Sequence, residues 1–408
     1  MDAMVSYGEK KMKLVFPDGV SFSEYSANPT GEAVGLEQFS EKIQLAEKKL
    51  FQLQTADLFI VNDAYRPTPT ATILKWIESI GKIGPKAQFI IATGTHQSPS
   101  IDQLRHIFGS LYEKLSDRIA VHSAADLDSM NEIGKDSFNQ PVLVNNIFCR
   151  AKKVVIIGSV EPHYFAGFTG GRKSIFPGLC DYDTTVRNHN LAVSLKSAPM
   201  KLDDNPVHEH LNSLMKLIAD KEIFSIQTVP GTNCDNSKIS LFCGELETSF
   251  NEARKLSKKI FGLKTDKQYD LLLAEVHPPL DRNLYQLQKS LENCQPAVKD
   301  GGHLMLFSPC REGVGSDKFY RLINHWNPVK DKLPQGREAF GIHKLSRVYQ
   351  ISQRIGINLY SELEKGISDK VFYKSINDPQ VFIDNFMEDI INAKVALVHD
   401  SGHVAFVS

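Results

Sequence analysis

Apolar residues recur along this chain in two alternating rhythms, and the alternation predicts its architecture. Short apolar runs read as strands at Lys13–Phe16, Leu58–Asn62, Gln88–Ala92, Val154–Gly158, Phe224–Val229, Ser240–Cys243, Leu271–Val276, Leu304–Phe307 and Val395–Val398. Helical spacing of apolar positions lies between them, at Leu36–Leu50, Ala71–Ile80, Ile101–Lys114, Pro206–Ile218, Leu246–Ile260, Leu284–Cys294, Lys318–Trp326, Lys344–Ile355 and Val381–Ala393. Strands that alternate with helices imply βαβ units around largely parallel sheets, so the fold class expected is α/β. A polar, glycine-containing passage at Phe261–Lys267 follows a long amphipathic helix and precedes a fresh buried strand. It places a boundary between two α/β domains, 1–265 and 266–408, with the active-site cleft expected between them.

Length agrees with that division, because 408 residues exceed what one compact core usually supports. A hydrophobic content of 42% with 23% charged residues is ordinary for a globular chain and argues against disorder. The net charge of −1 offers no basic face for nucleic acid or an anionic membrane. The N-terminus, MDAMVSYGEKKMKLVF, carries no apolar stretch of the signal-peptide kind, so a cytoplasmic location is expected. Six dispersed cysteines form no Cys-x-x-Cys pair, which argues against a zinc ribbon or a disulfide framework. Any metal would have to be held largely by histidine.

The most informative stretch is EPHYFAGFTGGRKSIFPG at 161–178, followed by Asn188-His189-Asn190. His163 precedes Lys173 by ten positions and His189 follows it by sixteen. Gly170-Gly171 weakens any regular element, so the pair reads as a place where backbone approaches a bound group closely. A phosphate-binding P-loop is the nearest rival, but it requires glycine immediately before the lysine, where Arg172 stands. Three further groups follow predicted strands. Asp63 and Arg66 flank a turn stiffened by Pro67 and Pro69. An arginine so fixed can clamp a carboxylate or phosphate, with Asp63 as its orienting partner. His96 closes Thr93-Gly94-Thr95-His96, and Tyr285-Gln286-Leu287-Gln288-Lys289 opens a helix after Leu271–Val276. On that helix Leu284, Leu287 and Leu291 form the apolar stripe, leaving Tyr285, Gln286 and Lys289 on the other side.

These four segments, in this order, resemble the signature of the nickel-dependent lactate racemase family. The resemblance implies an isomerase, a 2-hydroxy acid racemase or epimerase acting on lactate or a related, larger hydroxy acid. It implies a nickel-pincer nucleotide (a pyridinium thioamide/thiocarboxylate mononucleotide) bonded to Lys173, with His189 as the single protein ligand to nickel. Imidazole suits Ni²⁺, and the organic group would complete the coordination. The resemblance assigns His96 and His163 to acid/base work on opposite substrate faces, for which a pKa near 6.5 is suited. Asp63, Arg66, Gly170 and Gly171 fall to cofactor binding, and Arg66, Tyr285, Gln286 and Lys289 to substrate binding. Implied partners are the small-molecule substrate and, transiently, cofactor-synthesis and nickel-insertion proteins, with no nucleic acid and no membrane.

The chain departs from the family pattern at two places. Lactate-specific members carry a tryptophan in a segment that aligns loosely with 339–348; here Phe340 is the nearest aromatic, followed by Gly341-Ile342-His343-Lys344. Arg172 also replaces a small residue. Both changes point away from simple lactate, toward a larger or dicarboxylic acid. The alternative function is a non-catalytic nucleotide- or metal-binding protein that retains the loop.

Overall fold

The computed structural model describes residues 1–29, 34–232, 239–328, 330–332, 341–364, 366–388, 390 and 392–407. Its frame is a pair of six-stranded sheets. Across the first the order is Ser240–Glu245, Glu222–Val229, Lys153–Ser159, Leu58–Asn62, Gln88–Ala92 and Ile119–Val121. All pairings are parallel except that of the edge strand Ser240–Glu245. Successive side chains alternate between faces, so Phe59, Val61, Phe89 and Ile91 enter one core while Leu58, Ile60 and Ile90 enter the other. Burial on both faces is why these strands read as continuous apolar runs.

The second sheet runs Lys374–Ile376, Gly356–Tyr360, Val298–Phe307, Tyr269–Glu275, Lys394–Val398 and Ser21–Tyr25, parallel throughout. Its last strand corrects the expected division at 265. Ser21–Tyr25 and the antiparallel hairpin Asp2–Tyr7/Lys10–Val15 sit on the second sheet, where Ala3, Val5 and Leu14 share a core with Leu271, Leu273 and Val395. The cause is local: Asp2–Tyr7 and Ser21–Tyr25 alternate polar with apolar residues, a pattern that needs one face covered but does not say by what. A smaller difference lies at Gly109, whose φ of +56° ends the helix Ile101–Phe108 and leaves Tyr112–Leu115 as a separate turn. One apolar cluster joins Val160, Phe168 and Phe250 to Leu284, Leu287 and Leu291, so the layers of the two sheets meet in a shared core.

In each sheet the strand order reverses once, and ligands of open α/β sheets favour the crevice beyond the carboxyl ends at that reversal. In the first sheet it falls between Leu58–Asn62 and Lys153–Ser159. In the second it falls between Tyr269–Glu275 and Lys394–Val398, and there the chain fills it with its own groups. Buried Glu275 accepts from Ser6 N–H at 2.6 Å, and pairs with His277 Nε2 at 3.1 Å and His399 Nδ1 at 3.0 Å. These hydrogen bonds outweigh burial and hold the Glu275 carboxyl down at about 2, while the same bonds raise both histidines above 6.5. The signs fix the pH response. The Glu275 contribution is present above the ordinary glutamate range and is lost as pH falls toward 2; that of the histidines is present below 6.5 and lost as pH rises through their raised values. Both histidine side chains are more than a third exposed, which discounts their share to about 1 kcal/mol or less each. Glu275→Gln is expected to destabilise the fold by about 1–3 kcal/mol and to abolish the stability gained on going from pH 8 to 6. Urea midpoints measured across that range check both.

Among the described residues no helix is long and apolar enough to cross a membrane. Cys180, Cys294 and Cys310 are buried, Cys149 and Cys243 partly so, and all five are free. Cys234 lies outside the described residues.

Candidate active site

The crevice of the first sheet receives three loops, one from each of three neighbouring strands. Asp63 opens the loop after Leu58–Asn62 and is 6% exposed. Its Oδ1 accepts the Tyr65 N–H at 3.1 Å, and its Oδ2 lies 2.6 Å from His96 Nδ1 on the next loop. The expected Asp63–Arg66 pairing is therefore corrected: the carboxylate orients His96. Holding Nδ1–H this way leaves Nε2 as the free basic atom. Arg66 is tied to Asp63 only through backbone, N–H to O at 3.3 Å. Among the described residues no carboxylate engages its guanidinium, yet its charge depresses the pKa values of His163, Lys173 and Lys289.

The third loop follows Lys153–Ser159 and carries the glycine turn. Gly170 and Gly171 have φ of +71° and +56°. A Cβ on Gly170 would stand 2.7 Å from Gln227 Oε1 and Ser159 O, and one on Gly171 2.7 Å from the Phe250 ring. The close approach predicted from these glycines is thus to the chain's own atoms, with Gln227 Oε1 also receiving the Gly171 N–H at 2.9 Å. Their role is to fold the loop tightly enough to aim Lys173. Arg172 points the other way, against His208 and over the Phe250 ring at 5.1 Å, so it gives no support for a changed substrate pocket.

Phe165, which the sequence reading passed over, is the hub of the site. Its ring stands edge-on to His163 at 4.5 Å, His189 at 5.1 Å and His343 at 5.3 Å between centroids. Lys173 Nζ lies 5.7 Å from the same ring. Burial, reinforced by Arg66 and Arg172, drives the Lys173 amine well below its ordinary pKa. His163 is 8% exposed, and its Nδ1 accepts the Ala166 N–H at 3.2 Å, which leaves the ring proton of the neutral form on Nε2. Burial and then the Lys173 charge push its pKa well down. His189 sits in the last turn of the helix Tyr182–Asn190, with Nδ1 2.8 Å from Thr185 O. That carbonyl takes the Nδ1 proton and turns the Nε2 lone pair outward, the arrangement usual for a metal-binding imidazole. Burial and the Lys173 charge lower its pKa to about 3, so it is neutral at physiological pH.

Two helices that share a core with the second sheet also bring groups to the crevice. On Leu284–Cys294, Tyr285 packs edge-on to Phe319 at 5.3 Å, and burial lowers Lys289 to about 8. Glu161, from the first domain, is the one carboxylate that acts on Lys289 in the opposite sense, and its Oε1 is buried without a partner. The Gln286 side chain makes no hydrogen bond among the described residues, so nothing ties it to these groups. On Ile342–Ser352, His343 stacks on His189 at 5.8 Å, with its Nε2 3.4 Å from the Tyr164 hydroxyl. Phe340, read as the stand-in for the family tryptophan, lies outside the described residues. The same helix locks the domains together. Arg347 forms a bidentate pair with Glu292, 2.6 Å on both arms, and donates to Ala192 O at 2.8 Å and Ser194 O at 2.9 Å, just past the His189 helix. Arg347→Met would leave Glu292 buried without its counter-charge, and is expected to cost about 3–5 kcal/mol. Adding Glu292→Leu should restore most of that loss, as read from denaturant midpoints of the single and double variants.

Comparison with known proteins identifies the family. The model of the lactate racemase N-terminal domain matches residues 7–200, and that of the lactate racemase C-terminal domain matches 271–339. The chain belongs to the lactate racemase family. Within that family it is 26% identical over 348 residues to the lactate racemase of Thermoanaerobacterium thermosaccharolyticum, spanning 81% of this chain and 79% of that one. It is also 26% identical over 284 residues to the lactate racemase of Lactiplantibacillus plantarum, 68% of this chain and 66% of that one. The fold superposes on the lactate racemase apoprotein from T. thermosaccharolyticum with a TM-score of 0.82, at 22% identity and full coverage of both chains. A protein from Thermotoga maritima superposes with a TM-score of 0.69 at 15% identity, over 92% of this chain and 99% of that one. Family membership makes the chain an isomerase of the racemase class.

Proposed function

We propose that this protein interconverts the enantiomers of a 2-hydroxy acid, lactate or a larger relative, using a covalently held nickel-pincer nucleotide. The observation that carries the reading is the convergence of Lys173, His163 and His189 on the Phe165 ring, in the crevice where Asp63 orients His96. The residues present suit such a cofactor. Among the described residues no group of three or more His, Cys, Asp or Glu side chains can hold a metal ion. A metal would therefore take one imidazole from the chain and its other ligands from an organic group, and the outward Nε2 of His189 fits that role. Burial lowers the Lys173 pKa and so favours the neutral amine, the nucleophilic form needed for covalent attachment. When bound, the cofactor supplies the hydride acceptor that no side chain provides.

The chain's own residues would do the rest. Arg66 and Lys289 hold the substrate carboxylate, since among the described residues neither cation is taken up in an ion pair and Glu161 is the one carboxylate acting on Lys289. His96 Nε2, with Asp63 steadying its other nitrogen, takes the hydroxyl proton on one face and stabilises the imidazolium that results. His163 serves the other face through Nε2: with Nδ1 accepting from Ala166 it can donate its Nε2 proton there, and to act as the base its ring proton must move to Nδ1, so that the Ala166 contact gives way. Burial under the second domain excludes water from the ketoacid formed between the two half-reactions. Protein produced alongside the cofactor-making proteins should carry an added covalent mass and nickel, and should erase the optical rotation of an enantiopure 2-hydroxy acid. A fully loaded protein that left every enantiopure acid unchanged would sink the racemase reading and favour a binding protein.

A further inference from the structure

We propose that the substrate carries a second anionic group beyond its 2-hydroxycarboxylate, received by His343 and Lys344, which makes it a 2-hydroxy dicarboxylate. This rests on the racemase reading and narrows it.

Both residues lie in the first turn of the helix Ile342–Ser352, which the chain enters through Gly341 at a φ of +87°. A helix N-terminus already presents positive potential, so a cation there is disfavoured unless an anion joins it. Lys344 is nevertheless only 3% exposed. Its Nζ donates to Tyr285 O at 2.9 Å and lies 3.9 Å from the Tyr285 ring centroid and 4.6 Å from that of Tyr164. An ammonium has three donors, and a single carbonyl satisfies one. The nearest carboxylate on that side, Glu292, is already held on both oxygens by Arg347. Burial first, and then the like charge of Lys289, lower the Lys344 pKa well below the ordinary lysine range, so an anion arriving beside it would favour its charged form. His343 is also 3% exposed, and its Nδ1 is buried without a partner. An ammonium and an imidazole with an unpartnered nitrogen thus flank Tyr164 at a helix N-terminus, and among the described residues the one acid acting on Lys344, Glu292, is already bound to Arg347.

The missing charge could be a carboxylate of the substrate or a phosphate of the nucleotide. The stack of His343 on His189 at 5.8 Å puts the site beside the reacting end of the crevice, which favours the substrate. Arg66 and Lys289 remain for the first carboxylate.

The test compares, with cofactor-loaded protein, a four-carbon 2-hydroxy dicarboxylate against its ω-amide, which has the same shape without the second charge. The dicarboxylate is expected to show kcat/KM at least tenfold higher, a difference of about 1.4 kcal/mol. In Lys344→Met that ratio should fall below about threefold. A ratio near one in the unaltered protein overturns the inference, and because that arm needs no variant, misfolding of Lys344→Met cannot obscure it. Turnover of both acids without preference leaves the racemase reading intact. If no 2-hydroxy acid turns over, that reading fails, and thermal shifts of the cofactor-free protein still decide the site. Stabilisation by the dicarboxylate, lost in Lys344→Met, supports it; stabilisation by inorganic phosphate alone, equally dependent on Lys344, assigns the site to the nucleotide and overturns it.

Discussion

Lys173→Ala is expected to yield protein with no covalent adduct and with racemisation at the uncatalysed background. The amine is the only atom of that side chain able to form the bond, and burial lowers its pKa toward the neutral, nucleophilic form. Lys173→Arg should fail equally, because it keeps a cation but offers no nucleophile. Stability gives the prediction a second edge. A lysine whose folded pKa is depressed lowers stability at every pH below its unfolded value, so its removal should leave the unfolding midpoint unchanged or raise it. His189→Ala should separate the two parts of the cofactor, keeping the organic mass while losing nickel. Intact-protein mass, metal analysis and thermal midpoints on the three variants check all of this. Full adduct mass on Lys173→Ala would assign the attachment to another residue.

The histidine pair carries the second large effect. Each full racemisation needs proton transfer on both faces of the substrate, so His96→Ala or His163→Ala alone should cost about 10²-fold or more in rate. The half-reactions are expected to be selective: each variant should still oxidise one enantiomer, and the surviving enantiomer should differ between the two. Asp63→Asn should copy a weaker version of the His96 defect, because it leaves the imidazole in place and removes its orienting carboxylate. Stopped-flow absorbance with each pure enantiomer against each variant separates these outcomes. Loss of the same enantiomer's half-reaction in both would end the opposed-face assignment and leave one histidine as a binding group.

Much of the frame was legible because its strands are buried on both faces. Leu58–Asn62 and Gln88–Ala92 occur at the boundaries their apolar runs predict, and so does the helix Leu284–Cys294 with its leucine stripe. Strands that are short or half-exposed escaped: Ser21–Tyr25 and Lys374–Ile376 hold few apolar residues, and Ile119–Val121, though wholly apolar, is only three residues long. In the site, residue types with distinctive chemistry were found, and those acting through shape were not. Phe165 organises three imidazoles but reads in sequence as one more aromatic in a loop. His343 and Lys344 stood in plain view where a tryptophan was sought, and only the packing of their helix against His189 gives them meaning. The partner of Asp63 went to the wrong residue because proximity in sequence favoured Arg66, while two adjacent parallel strands deliver His96 to the same spot.

The placement of Ser21–Tyr25 beside Lys394–Val398 has a consequence for how the chain is made. Ser21–Tyr25 is synthesised about 370 residues before Lys394–Val398, the strand it pairs with. At about 5–20 residues per second the wait between them is on the order of 20–75 s. During that time the first sheet, whose strands lie wholly between residues 58 and 245, can assemble on its own. The half-apolar hairpin meanwhile lacks the core it enters in the folded chain, so its apolar face stays uncovered. The second sheet is complete only once Lys394–Val398 has been made, so a polypeptide released before then lacks the strand that joins Ser21–Tyr25 to Tyr269–Glu275.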